Sequence, residues 1–230
     1  MKKARPLALV GAGPAEGFSL VRRPGILMRL GPVKSSSYRL ASRIANALRH
    51  GFAVRECDDL DEAGVILLCA PDTQLSEIVD ELAASGRPWR GRTVIVCGSG
   101  SGSEVLAPLA QQGAAVGSVC QVGELTPPRY LAEGDRPALR EVRGLFTGDG
   151  SRLIEINKGM KRECMSVFAN LPLMLPSLID DSIRRLAGAG LDKQTAAPII
   201  ERLLMSSVRG CFKGSRRTKR IGTNALAARS

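Results

Sequence analysis

Leu7-Ala8-Leu9-Val10-Gly11-Ala12-Gly13 is an apolar strand that runs directly into a Gly-x-Gly turn. A turn of that kind lets backbone N–H groups close on a phosphate, and the helix that follows adds the partial positive charge of its N-terminus. The stretch therefore opens an α/β domain of the dinucleotide-binding kind. Its phosphate-loop candidates are Gly11, Ala12, Gly13, Pro14 and Gly17. The usual fingerprint carries a third glycine where this chain has Glu16. A carboxylate in a first helical turn suits the helix dipole but repels a pyrophosphate. The stretch thus speaks to the fold before it speaks to the cofactor.

Outward from it, strands and helices alternate. Gly17–Arg23 is expected as a short helix stopped by Pro24-Gly25, and Ile26–Leu30 as the second strand. One of Ser35, Ser36 and Ser37 caps a helix over Tyr38–Arg49, with Gly51 in the left-handed position at its end. Phe52–Cys57 reads as a short strand, Asp58–Ala63 as a helical turn. Val65–Ala70 is continuously apolar, as a strand covered on both faces is. A helix over Leu75–Ala84, a strand over Thr93–Cys97, a helix capped by Ser103 and a strand over Ala114–Val119 repeat the unit. Residues 123–137, rich in Pro, Gly and charge, read as a linker or surface loop. A helix over Pro137–Phe146 and a strand over Arg152–Ile156 finish the sheet. The fold class is α/β, a doubly wound, mostly parallel Rossmann-type sheet followed by a small all-α C-terminal domain.

The domain boundary is placed at 156/157, giving domains 1–156 and 157–230. Beyond it the pattern is helical: Lys158–Leu171, interrupted or kinked at Pro172 and Pro176, then Ile179–Ala187 and Thr195–Val208. A unit that small has little core of its own and is expected to pack on another surface or on a second copy.

Composition bounds the partners. The net charge of +11 favours anionic ones: a phosphorylated cofactor, an acidic substrate or nucleic acid. The densest basic run, Lys213–Arg220, reads as a solvated terminus, a phosphate clamp or a nucleic-acid contact. Aromatic residues make up 3% of the chain and are not interleaved with that run, which argues against a surface that stacks bases. No apolar run approaches the roughly 20 residues that span a bilayer, so no membrane partner is expected. The six cysteines form no Cys-x-x-Cys and no zinc spacing, and His50 is the only histidine, so no metal is expected. Cys69 and Cys97 sit in apolar runs and read as buried thiols of a cytoplasmic protein.

The second strand's end bears on cofactor choice. An NAD site presents Asp or Glu there to the ribose hydroxyls. This chain offers Arg29, then Lys34-Ser35-Ser36-Ser37, which suits the 2′-phosphate of NADP and equally suits a solvated, serine-capped helix start.

Several segments in order carry a family resemblance: Leu7–Gly13, Val65–Asp72, Ser103–Leu109, Gly113–Ser118, Glu133-Gly134-Asp135 and Val167–Asn170. Across nearly its full length the chain resembles Rossmann-like proteins with an uncharacterised C-terminal helical domain. These are similar in plan to pyrroline-5-carboxylate reductase and to the beta-hydroxyacid and 6-phosphogluconate dehydrogenases. The resemblance implies NADP binding, a homodimer formed through the helical domain and an active site between the domains, with no particular substrate. Two departures stand out. The family's His-Thr-Ser-Gly segment is Val96-Cys97-Gly98-Ser99 here, and its His-Pro is Cys120-Gln121. Both histidines are gone. Cys97, Gly98 and Ser99 remain as substrate-pocket candidates at a strand's C-terminal end, where open α/β sheets bind ligands, or as a plain flexible Gly-Ser loop. Related dehydrogenases place a lysine general acid on the first helix after the sheet. Lys158 and Lys161 lie near that place, and each reads equally as a surface charge.

Two function classes follow. One is an NADP-dependent reductase or dehydrogenase of a small carbonyl or imine compound, with the nicotinamide near Ala70-Pro71 and Gly98-Ser99. The other is a non-catalytic Rossmann protein that senses a ligand or binds a partner.

Overall fold

The computed structural model describes residues 5–11, 18–98 and 100–226. The chain divides into two compact units, residues 1–168 and 169–230. The phosphate-loop candidates Ala12, Gly13, Pro14 and Gly17, together with Glu16 and Ser99, lie outside the described residues.

The first unit is built on one eight-stranded sheet. Its strands are β1 (Leu7–Gly11), β2 (Leu30–Lys34), β3 (Phe52–Ala53), β4 (Val65–Cys69), β5 (Thr93–Cys97), β6 (Ala115–Gln121), β7 (Arg129–Gly134) and β8 (Arg152–Glu155). The spatial order is β3-β2-β1-β4-β5-β6-β7-β8. All neighbours are parallel except β6 and β7, which run antiparallel. Chain order reverses between β1 and β4, whose registers match from Leu7↔Val65 to Gly11↔Cys69. Such a switch point leaves a crevice at the carboxyl ends of the strands.

Helices cover both faces. On one, α3 (Tyr38–Leu48) and α6 (Arg136–Phe146) bury Ile44, Leu48, Val142 and Phe146 against Leu7, Leu9, Leu67 and Ile95. On the other, α4 (Asp72–Ala84) and α5 (Ala107–Gln111) bury Leu75, Val79, Leu82 and Leu109 against Ala8, Val10, Ile66 and Val94. The alternation of Leu7 and Leu9 with Ala8 and Val10 is the period-2 geometry of a strand feeding two cores.

Several expectations are corrected. Pro24–Leu27 forms the short helix α2, following α1 (Phe18–Val21), and the second strand begins only at Leu30. Proline at the first helical position favours a turn of helix, which overrides the apolar run Ile26–Leu30. The left-handed residue that ends α3 is Arg49, with φ of 55°, ahead of Gly51. Phe52–Cys57 pairs only over its first two residues. The supposed loop 123–137 contains β7, whose Tyr130, Leu131, Ala132 and Glu133 are all buried.

The helix over residues 158–171 is instead α7, continuous over Lys161–Gly188 through both Pro172 and Pro176. Each proline removes one N–H donor from the helical ladder, and the residues around both are exposed. The last helix, α8, runs Lys193–Leu226 through Pro198. Within residues 169–212 Ala196 is the one described residue that is fully buried.

The antiparallel pair β6–β7 depends on two facing glycines, Gly117↔Gly134. Gly134 has φ of +136°, and a Cβ there would lie 2.4 Å from the Val116 carbonyl and 2.5 Å from Gly117 Cα. Gly134→Ala therefore combines backbone strain with a backbone clash. It is expected to cost about 2–4 kcal/mol in urea unfolding, as strain at a special φ does. A loss near zero would contradict this close approach.

Candidate functional site at the carboxyl edge of the sheet

The first group of predicted residues meets at the ends of β1 and β2. Val10, Gly11, Lys34, Ser35, Ser36, Gln74, Glu77, Ile78 and Glu81 line a cavity of about 90 Å³. Gly11 closes on the sheet: a Cβ would stand 3.1 Å from the Cys69 carbonyl. The buried Ser35 hydroxyl donates to the Gly11 carbonyl and so ties the ends of β1 and β2. Ser37, not Ser35, caps α3, its Oγ accepting from the Leu40 amide at 3.2 Å.

Lys34 is not a free cation. Its Nζ lies 2.7 Å from Glu81 Oε1, and the lysine is buried. Burial opposes its charge, but the Glu81 hydrogen bond and negative neighbours outweigh it and hold the amine above the usual lysine range. Arg29 lies at the other end of β2, immediately before Leu30. It donates to the Arg5 carbonyl and lies 3.6 Å from Glu141. It is thus removed from the candidate cofactor residues, because the strand it was expected to end starts after it. What remains for a dinucleotide is the side-chain-free end of β1 at the switch point, with exposed Ser36, Ser37 and Arg39 at the start of α3. In position and in lack of bulk this set would fit such a group, and Lys34, held by Glu81, would not be among its phosphate ligands.

The second group gathers where β4 and β5 end. Ala70 and Pro71 lead from β4 into α4, with Pro71 at the N-cap position. Cys69 and Cys97 are buried on adjacent strands. The hydrogen bond between them, together with burial, holds the Cys69 thiol well above its usual range.

The described residues after β5, Gly98 and Gly100–Ser103, are held by charged groups from three directions. The Lys161 amine donates to the carbonyls of Gly98 and Ser101, the latter at 2.7 Å. Asp72 Oδ1 accepts from the Ser101 amide and hydroxyl at 3.1 and 2.9 Å. The Gly102 amide donates to Glu104 and the Ser103 amide to Glu133. Ser103 caps nothing; its hydroxyl donates to Glu133 Oε2 at 2.9 Å.

The two lysines part company. Lys161 is fully buried, which corrects its reading as a surface charge. Burial depresses its basicity, partly offset by Cys120, Cys97, Glu133 and Asp72 nearby. Lys158 is half exposed and pairs with Asp135 at 2.8 Å. The residue that sequence reasoning missed is Glu133. It is buried on β7 and accepts from Ser103, Ser118 and Gly159. Burial would raise its pKa, yet these hydrogen bonds hold it below the usual carboxylate range. The available signal was a single carboxylate closing the apolar run Tyr130-Leu131-Ala132.

Among the described residues no group of three or more His, Cys, Asp or Glu could hold a metal ion, and no helix is long and apolar enough to cross a membrane.

This geometry agrees with the comparisons. Residues 13–119 match the model of the Rossmann-like domain. No curated protein matches the sequence. Among solved structures, an imine reductase from Aspergillus terreus in complex with NADPH4 and dibenz[c,e]azepine superposes with a TM-score of 0.69 at 13% identity, over 94% of this chain and 78% of that one. A Myxococcus stipitatus imine reductase variant in complex with NAD+ gives 0.67 at 16% identity, again over 94% and 78%. The Bacillus cereus BAG3X2 imine reductase gives 0.66 at 15%, over 94% and 77%. The chain carries a Rossmann-like domain, and it shares with these proteins the doubly wound sheet and the helices that follow.

Lys161→Met keeps the side chain's length and removes its donors, leaving the Gly98 and Ser101 carbonyls unpaired. The variant is expected to lose about 1–3 kcal/mol in urea unfolding, the range for buried polar groups left unsatisfied. Lys158→Met should change stability by less than about 1 kcal/mol, as surface ion pairs do. Equal effects would show that Lys161 does not hold the segment.

Proposed function

We propose that this protein is an NADP-dependent oxidoreductase that reduces a small carbonyl or imine compound. The carrying observation is its likeness of fold, over nearly its whole length, to imine reductases solved with NAD+ or NADPH4. The end of β1, at the point where strand order reverses, supports the same reading.

In this reading Gly11, with Ala12, Gly13, Pro14 and Gly17 by sequence, receives the pyrophosphate. Ser36, Ser37 and Arg39 face the 2′-phosphate. Lys34 and Ser35 shape the site from behind, through Glu81 and the Gly11 carbonyl. Ala70 and Pro71, with Cys97, Gly98 and Ser99, line the nicotinamide and substrate side. The bound dinucleotide supplies hydride; the protein supplies position and field. Lys161 holds the substrate-side loop through two carbonyls, and Lys158 is kept as an exposed cation paired with Asp135.

The helical unit supports a homodimer. Leu171, Leu173, Met174, Leu178, Leu203 and Phe212 are exposed large apolar residues. Between α7 and α8 an apolar groove of about 400 Å³ is lined by Leu178, Ile179, Leu186, Ile200, Leu203 and Leu204. Apolar surface on this scale is expected to be covered by a second copy. The free thiols fit a reducing cytoplasm.

One observation favours the alternative, a non-catalytic ligand-sensing or partner-binding protein: the buried cations Lys34 and Lys161 are both engaged internally, by Glu81 and by the Gly98 and Ser101 carbonyls.

Calorimetric titration of the full chain with NADPH, NADH and adenosine 2′,5′-bisphosphate tests the reading. NADPH is expected to bind with micromolar affinity, about tenfold tighter than NADH, a difference of about 1.4 kcal/mol. Gly13→Asp should abolish the heat. Binding of neither dinucleotide would overturn the reductase reading in favour of the alternative.

A further inference from the structure

Among the described residues Glu133 is the one buried carboxylate whose hydrogen bonds join three separate pieces of chain at the sheet edge. Oε1 accepts from the Ser103 amide and from the Ser118 hydroxyl at 2.7 Å. Oε2 accepts from the Ser103 hydroxyl at 2.9 Å and from the Gly159 amide at 3.0 Å. Ser103 begins the short helical turn Ser103–Leu106 after the Gly98–Ser103 segment. Ser118 lies on β6, and Gly159 is in the turn that delivers Lys161 to α7. Lys161 then reaches back to the Gly98 and Ser101 carbonyls, closing a ring from Glu133 through Gly159 and Lys161 to the segment and back through Ser103. Gly102 is part of the same fit, since a Cβ there would lie 3.1 Å from Glu133 Oε1.

We propose that Glu133 is a positioning residue: by holding Ser103 and Gly159 on one carboxylate, it sets Ser101–Ser103 and the Lys161 turn as a single preformed unit beside the reacting end of the cofactor. The inference rests on the oxidoreductase reading for what the unit serves, and on the hydrogen bonds alone for its existence. Glu133 touches no reacting atom; it acts through the segment. The carboxylate form is required. Each of its oxygens accepts a backbone N–H, so a glutamine in either orientation sets an N–H donor against an N–H donor. A single buried hub of this kind is the means by which a site is held to a productive geometry by the shell behind it.

Amide exchange of full-length Glu133→Gln, read by mass spectrometry without ligand, tests the unit. Residues 101–103 and 159–162 are expected to exchange together, about tenfold faster, while β1 and β4 keep their rates, as selective local opening requires. Ser118→Ala removes one donor to the hub and touches neither segment. It should accelerate the same two segments by a smaller factor, and it serves if Glu133→Gln does not fold. NADPH supplies the second readout. Its affinity for Glu133→Gln should stay within about twofold of the unaltered protein, while the emission of the bound nicotinamide changes. Acceleration spread evenly over β1 and β4, or confined to one of the two segments, would overturn the proposal. If the unaltered protein binds no NADPH, the oxidoreductase reading falls, and the exchange result still decides whether Glu133 joins the two segments.

Discussion

The ion-rich knot around Gly98–Ser103 is the constraint on which the carboxyl edge of this sheet depends. A strand that ends in glycines and serines leaves backbone donors and acceptors in a place that side chains of the core cannot satisfy. Here charged groups satisfy them. Asp72, Glu104 and Glu133 take the amides of Ser101, Gly102 and Ser103, and Lys161 takes the carbonyls of Gly98 and Ser101. Glu133 and Lys161 are buried and would be costly as lone charges; they are tolerated because their hydrogen bonds are made, while Asp72 and Glu104 act from the exposed side. The antiparallel turn-back of β7 exists in the same terms, because it is what brings Glu133 opposite Ser118.

The same economy operates at the other end of the crevice. Lys34 and Glu81 form a buried-to-exposed pair beside the end of β1, and Ser35 fastens Gly11 from below. Cations that composition offers to a phosphate are thus used to build the walls. The groups left for an anion are exposed Ser36, Ser37 and Arg39 at the start of α3, and the glycine loop itself.

Much of this architecture was legible in the residues. Val65–Cys69 and Thr93–Cys97 are apolar throughout because both faces are covered, and helix α4 shows its spacing in Leu75, Val79 and Leu82. The errors have physical causes. Ile26–Leu30 has strand composition, but Pro24 at a helix start decided the segment locally. β7 hid because its buried carboxylate and flanking Pro and Gly look like loop composition when the four hydrogen bonds are invisible. Pro172 and Pro176 promised breaks, yet each removes only one N–H from a long ladder and α7 runs on through both. At the site, position was legible and partnership was not. Lys161 was found by its place after the sheet, but nothing in its spacing shows that its amine points at Gly98 and Ser101 rather than at water.

In the proposed reading the carboxyl edge of the sheet is the dinucleotide site. Amide-exchange footprinting of the unaltered full chain, with and without saturating NADPH, tests that most directly. Protection is expected to concentrate at residues 11–18, 35–39, 70–74 and 98–103, with the amino-terminal edge around Arg29 unchanged. Protection absent from those segments, or placed on the α7–α8 helices alone, would contradict it.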